Sequence, residues 1–191
     1  MSLQYIAAMR NIDVPSYTRL PLSREDRRDL RSDHAGEHGA VAIYRGILSV
    51  TQDADLQCFA RRHLLAEMRH LRYFERFLPQ GGKSRLLGVW WCAGWLLGAG
   101  SAVMGARATY ATIAAVERFV EGHYLEQIES MEARAGLEEL VVILRKFCAD
   151  EVHHRKDAEV RTAPRRGRIR DGWSRLVASG SRVGVAIARR I

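Results

Sequence analysis

The stretch Leu140-Val141-Val142-Ile143-Leu144-Arg145-Lys146-Phe147-Cys148-Ala149-Asp150-Glu151-Val152-His153-His154 decides the fold. Leu140, Val141, Leu144, Phe147 and Cys148, with Leu137 before them, recur at helical spacing, and the same face then carries Glu151 and His154. The pattern is repeated upstream. Phe59, Ala60 and Leu64 lead to Glu67 and His70, with Leu71 and Phe74 beyond; Ile113, Val120, Tyr124 and Ile128 surround Glu117; and Glu37 precedes Val41, Tyr44 and Leu48. These stripes predict four long helices, over about 34–50, 53–77, 108–131 and 137–160, the first capped by Ser32 and Asp33. Strand patterns are nearly absent, and the prolines at 15, 21, 79 and 164 all fall in connectors. The expected fold class is all-α, a four-helix bundle.

Each of these helices places an acid on the side that should face the core. Burying one unpaired carboxylate costs several kcal/mol, so four on one bundle axis require compensating cations. Glu-x-x-His occurs twice, as Glu67…His70 and Glu151…His154, and residues three apart on a helix point at one centre. With Glu37 and Glu117 from the other two helices, the set becomes the four-Glu, two-His ligands of ferritin-like dimetal bundles. Carboxylates with one imidazole per metal suit iron or manganese better than zinc. His63 and His153 read as surface or supporting residues, and Glu121 as a helix-face acid that is the alternative to Glu117.

The 191 residues, 47% of them apolar, fit one domain. Residues 1–30 read as an N-terminal extension with no apolar run, hence neither a secretory signal nor a persuasive transit peptide. Cys58, Cys92 and Cys148 are scattered and odd in number, which favours a reducing compartment over a disulfide framework. The net charge of +8 is confined to Arg161–Ile191, where nine arginines face one acid; the rest balances at 21 basic and 21 acidic residues. A basic tail on a neutral body suits an anionic lipid surface, or nucleic acid, as an added attachment, and of the two a nucleic-acid partner is not expected. Leu86 to Ala106 runs 21 residues without a charge and holds Trp90, Trp91, Trp95 and five glycines. It admits three readings: a membrane span, a buried helix or helix pair, and an apolar surface in the membrane interface. After Arg165-Arg166-Gly167-Arg168-Ile169-Arg170, an amphipathic helix from Trp173 onward, with Leu176, Val177, Val183 and Ile187, completes two expected membrane-interacting segments, 86–106 and 165–191.

Asp33-His34-Ala35-Gly36-Glu37-His38-Gly39-Ala40, the block Trp91 to Gly105, Val116-Glu117 leading to His123-Tyr124, and the closing Gly-Ser-Arg-Val-Gly-Val-Ala-Ile carry a family resemblance. From about Arg31 onward the chain resembles the demethoxyubiquinone hydroxylases of ubiquinone biosynthesis. The resemblance implies a peripheral membrane monooxygenase that uses dioxygen to hydroxylate the ring of a polyprenyl quinone precursor. It also implies two iron ions on Glu37, Glu67, His70, Glu117, Glu151 and His154. His123 and Tyr124 would help pass electrons or protons, although Tyr124 reads equally as a core tyrosine hydrogen-bonded to a carboxylate, and NADH would be the ultimate reductant. The membrane face would be the cytoplasmic side of a bacterial inner membrane or the matrix side of a mitochondrial one. An accessory lipid-binding protein of the pathway and a homo-oligomer are further expectations. The chain departs from the family in having His38 where a tyrosine is usual and Arg118 where an acid often follows the ligand. Competing readings are an iron-oxidising or storage protein, an RNA-modifying di-iron hydroxylase, and a non-catalytic lipid-binding subunit.

Overall fold

The computed structural model describes residues 14–162 and 168–191, except the side chains at 168–171, 173–176 and 178. Six helices follow one another: α1 Arg24–Val50, α2 Ala54–Phe77, α3 Leu87–Val103, α4 Ala106–Met131, α5 Glu138–Arg161 and α6 Arg168–Ala188. No strand occurs among the described residues. The all-α, ferritin-like expectation therefore holds. α1 packs on α2 and α4 on α5, and the two hairpins face each other as the bundle. α3 lies along α1, and α6 lies across α4 and α1.

α1 begins about ten residues before the expected start. Ser23, rather than Ser32 or Asp33, is the cap: its Oγ accepts from the Asp26 N–H at 3.1 Å while the Asp26 carboxylate accepts from the Ser23 N–H at 2.7 Å. This reciprocal box satisfies two otherwise orphaned amides. The added turns are charged but held by tertiary pairs, Asp26 with Arg134 and Asp29 with Arg189. Residues 24–30, the last seven of the expected extension, therefore belong to α1. α6 likewise begins at Arg168, ahead of Trp173. The run Arg165–Gly167 and the side chains of Trp173 and Leu176 lie outside the described residues; Val177 is buried, while Val183 and Ile187 are exposed.

The uncharged stretch forms one helix, α3, of 17 residues, and no described helix is long and apolar enough to cross a membrane. The spanning and helix-pair readings are thus not met. One edge of α3 is pressed onto α1. A Cβ added at Gly94 or Gly98 would collide with the carbonyl oxygens of Gly39 and Ile43, and one added at Gly46 would come within 2.9 Å of the Ala99 nitrogen. Only residues without side chains permit backbones this close. The opposite face is apolar yet open, with Leu96 63% and Val103 75% exposed.

The core splits into two apolar clusters. One holds Leu30, Phe74, Met131 and Leu140; the other holds Ile47, Phe59, Ile113 and Ala158. On all four bundle helices the acids fall between these clusters, so a polar belt is sealed by hydrocarbon above and below.

Candidate metal centre

α1 carries Glu37 into the belt, α2 carries Glu67 and His70, α4 carries Glu117, and α5 carries Glu151 and His154. All six are buried, between 1 and 3% exposed. They form two overlapping groups, Glu37, Glu67, His70 and Glu151 in one, and Glu67, Glu117, Glu151 and His154 in the other. Within each group the ligand atoms lie within 4.8 Å of one another. Glu67 and Glu151 belong to both. Each histidine turns its Nδ1 inward: His70 reaches Glu151 at 3.2 Å and Glu37 at 3.5 Å, and His154 reaches Glu67 at 2.9 Å and Glu151 at 3.3 Å. The six residues singled out from sequence are therefore brought together, and Glu121 is not among them: it pairs with Arg155 at 2.6 Å on the helix face.

The donor set fits a pair of divalent ions. Glu37 Oε2, Glu67 Oε1, both Glu151 oxygens and the two inward Nδ1 atoms are buried without a hydrogen-bond partner. Orphaned acceptors aimed at one point are costly unless a cation takes them. Bridging carboxylates with one imidazole per position match the dimetal bundles.

With protein groups alone as partners, protons stand in for cations. Burial pushes Glu37 up to about 8 against the pull of His70. Burial also raises Glu117 well above the carboxylate range. His154 loses to burial but gains more from the Glu151 and Glu67 carboxylates beside it, which push it up to about 11. His70 is raised likewise, by Glu37 above all, and burial on Glu151 is outweighed by the two imidazoles, which hold it below the usual range. A metal must displace protons held by Glu37, Glu117, His70 and His154. Metal binding to stripped protein is expected to release protons and to tighten as pH rises through about 8, where Glu37 gives up its proton. Calorimetric titration at pH 6 and pH 9, each in two buffers of different ionisation enthalpy, reads this; equal affinity at both pH values counts against it.

Around the ligands lies a set of supporting bonds, of which the sequence signalled only a carboxylate partner for Tyr124 and a supporting place for His63. His70 Nε2 meets Asp150 at 3.0 Å, which fixes the ring with Nδ1 inward. His63, read from the sequence as a surface or supporting residue, is buried, packs edge-on to His154 at 4.3 Å and bonds to Asp157 at 2.9 Å; His153 is exposed. Tyr124 donates to Glu37 at 2.6 Å, and Tyr44 donates to Glu117 at 2.8 Å. Burial is the main cause that holds both phenols protonated. Asp33, read as a cap, is instead buried, and accepts from Gln127 at 2.8 Å and pairs with His123 at 3.2 Å. Burial opposes a charge on His123, but the bond to Asp33 outweighs it and raises the imidazole above its ordinary range.

Glu37, Glu67, Glu117, Glu151 and Tyr124 also line a cavity of about 450 Å³ walled by α1, α3, α4 and α6. Its other walls are mostly small or apolar, Gly36, Gly94, Leu97 and Val120 among them, with His123, Asp33 and Ser32 at one side. The family described as ubiquinone biosynthesis protein COQ7 matches residues 24–188. The chain belongs to this family. Its match begins at the first residue of α1 and ends at the last of α6, so both added helices are parts of the COQ7 fold. Similar proteins include a 3-demethoxyubiquinol 3-hydroxylase of Rhodospirillum rubrum, 33% identical over 169 residues, covering 86% of this chain and 77% of the relative. A mitochondrial NADPH-dependent 3-demethoxyubiquinone 3-hydroxylase of Homo sapiens is 29% identical over 86% of this chain and 77% of its own length. The Dictyostelium discoideum protein of the same name is 32% identical over 86% and 76% respectively.

Proposed function

We propose that this COQ7-family chain hydroxylates the quinone ring of a polyprenyl demethoxyubiquinone precursor, using dioxygen at a two-iron centre while seated on a membrane surface. The observation that carries the reading is the carboxylate and imidazole belt opening onto an apolar cavity of about 450 Å³. A storage site has no use for such a cavity, whereas a ring-oxidising enzyme must hold an apolar substrate beside its metals.

Two iron ions held by Glu37, Glu67, His70, Glu117, Glu151 and His154 supply dioxygen activation when bound. The protein's own contribution is placement, dryness and proton control. Gly36 lines the cavity with open space where a side chain would begin, which leaves room for a flat ring beside the carboxylates, and the two core clusters keep water from the belt. His123 holds a proton at Nε2 against Asp33 on the cavity wall, where a reduced ring oxygen can exchange it. Tyr124 ties Glu37 in place beside the same wall. We assign these two residues the passage of protons or electrons to the centre.

The open apolar face of α3, with Val183 and Ile187 of α6, supplies the membrane-facing surface, and the arginine-rich tail adds attraction to anionic headgroups. The electron donor is a reduced nicotinamide nucleotide: NADH is the resemblance's expectation, while the human relative is named for NADPH. No Gly-x-Gly-x-x-Gly stretch marks a Rossmann site for either.

The test is reconstitution with ferrous iron in anionic vesicles containing a demethoxyubiquinone, supplied with NADH or NADPH and isotopically labelled dioxygen. Hydroxylated quinone carrying one labelled oxygen is expected. Iron oxidation without quinone product in both arms would move the chain to the iron-oxidising class.

A further inference from the structure

The two buried tyrosines of the belt are placed by one rule. Tyr44 follows Glu37 on α1 by seven residues, and Tyr124 follows Glu117 on α4 by the same interval. Seven residues are close to two helical turns, so each tyrosine shares the inward face with the glutamate before it. Yet neither bonds to the acid of its own helix. Tyr44 crosses to Glu117 at 2.8 Å, and Tyr124 crosses to Glu37 at 2.6 Å. The bundle thus repeats one unit twice, glutamate and tyrosine on one helix and Glu-x-x-His on the next, and each unit's tyrosine serves the other unit's acid.

The two acids so held are the ones that do not belong to both ligand groups: Glu37 goes with His70, and Glu117 with His154. The pairing is not symmetric toward the cavity. Tyr124 lines it, whereas Tyr44 is no part of its wall and lies beside the adjoining rings of Phe59 and His63, at 6.4 and 6.1 Å. Tyr44 is therefore set back from that wall, and among the described residues its hydroxyl has one partner, Oε1 of Glu117.

We propose that Tyr44 is a positioning residue for one metal position only, the one formed by Glu117 and His154, as the cross-bundle counterpart of what Tyr124 does for Glu37 and His70. This rests on the two-metal reading above. The bond restrains one oxygen of Glu117 and with it the carboxylate's rotation. Removing such a support at other metal sites costs about 10- to 100-fold in metal affinity. A tyrosine that merely filled the core would affect both positions equally or neither.

The experiment is titration of metal-stripped full-length protein with Co²⁺, following heat and the visible absorption of the bound ion. Wild type is expected to take up about two ions per chain. Tyr44→Phe keeps the ring and removes the hydroxyl; one of the two binding steps should weaken by about 10- to 100-fold, with an altered Co²⁺ spectrum for that step, while the other stays within about threefold. Tyr124→Phe should weaken the other step. In a His70→Ala background, which leaves the Glu117 and His154 position, Tyr44→Phe should retain its full effect; in a His154→Ala background it should have none. Two unaltered steps in Tyr44→Phe, or equal weakening of both, overturns the proposal while leaving the two-metal centre intact. Wild type that takes up no second ion overturns the two-metal reading itself, and this inference with it. Should Tyr44→Phe lose its helical signal, Tyr124→Phe carries the test alone: loss of one step supports the rule and equal loss of both refutes it.

Discussion

Alanine at Glu151 is expected to bring bound iron from about two ions per chain to fewer than one and to abolish quinone hydroxylation. Glu151 belongs to both ligand groups, and both inward imidazoles touch it, His70 on one oxygen and His154 on the other. No neighbouring acid can take its place, because Asp150 already faces away to bond His70 on its outer nitrogen. The stripped protein should suffer as well. Two imidazoles raised by this carboxylate lose a buried counter-charge, a change that costs about 3–5 kcal/mol in comparable buried clusters. Metal analysis with a thermal melt of the stripped protein reads both effects. Two ions retained in Glu151→Ala would show that the ligand assignment is wrong.

The second large effect is expected at a position with no chemistry. Gly98→Ala drives a methyl group into the Ile43 carbonyl oxygen, and that atom belongs to backbone that cannot rotate away. Overpacking of this kind costs about 1–3 kcal/mol, and here the upper end is expected. Ile43 sits less than two turns from Glu37 on α1, so a shifted α1 also moves a ligand. Gly100→Ala is the control. It lies on the open side of the same helix with nothing within 4 Å, so alanine there should stabilise by about 0.5–1 kcal/mol. Chemical denaturation of both variants tests the pair; a neutral Gly98→Ala would remove the close helix contact from the account.

The belt was legible in the sequence for a physical reason. Acids on an apolar stripe violate the usual partition of charge to solvent, and a repeated Glu-x-x-His at helical spacing is the economical resolution. What surrounds the belt was not legible. Tyr44 looked like one more member of an apolar stripe, because its partner lies on a helix distant in sequence. Asp33 looked like a cap, because nothing local reveals that His123 and Gln127 meet it. The early start of α1 did have a local signal, Ser23 followed three residues later by Asp26, but the charged turns after it gave no apolar stripe to extend. Leu86 to Ala106 shows the limit of hydropathy: a run of 21 uncharged residues has spanning length, while glycines 94 and 98 along one edge mark an element made to lie against another helix.

The six candidate metal ligands lie on α1, α2, α4 and α5, while the cavity they border is closed on its far side by two other helices. α3 and α6 contribute no ligand, yet Trp90, Leu97, Val177 and Gly184 on them form the outer half of the chamber. Part of the cavity's shape is thereby coded apart from the candidate ligands, although α1 and α4 serve both. Mutations that reshape the vestibule can accumulate on two outer helices while the inner quartet keeps its cage, which makes this architecture readily adapted to a different lipid-soluble guest.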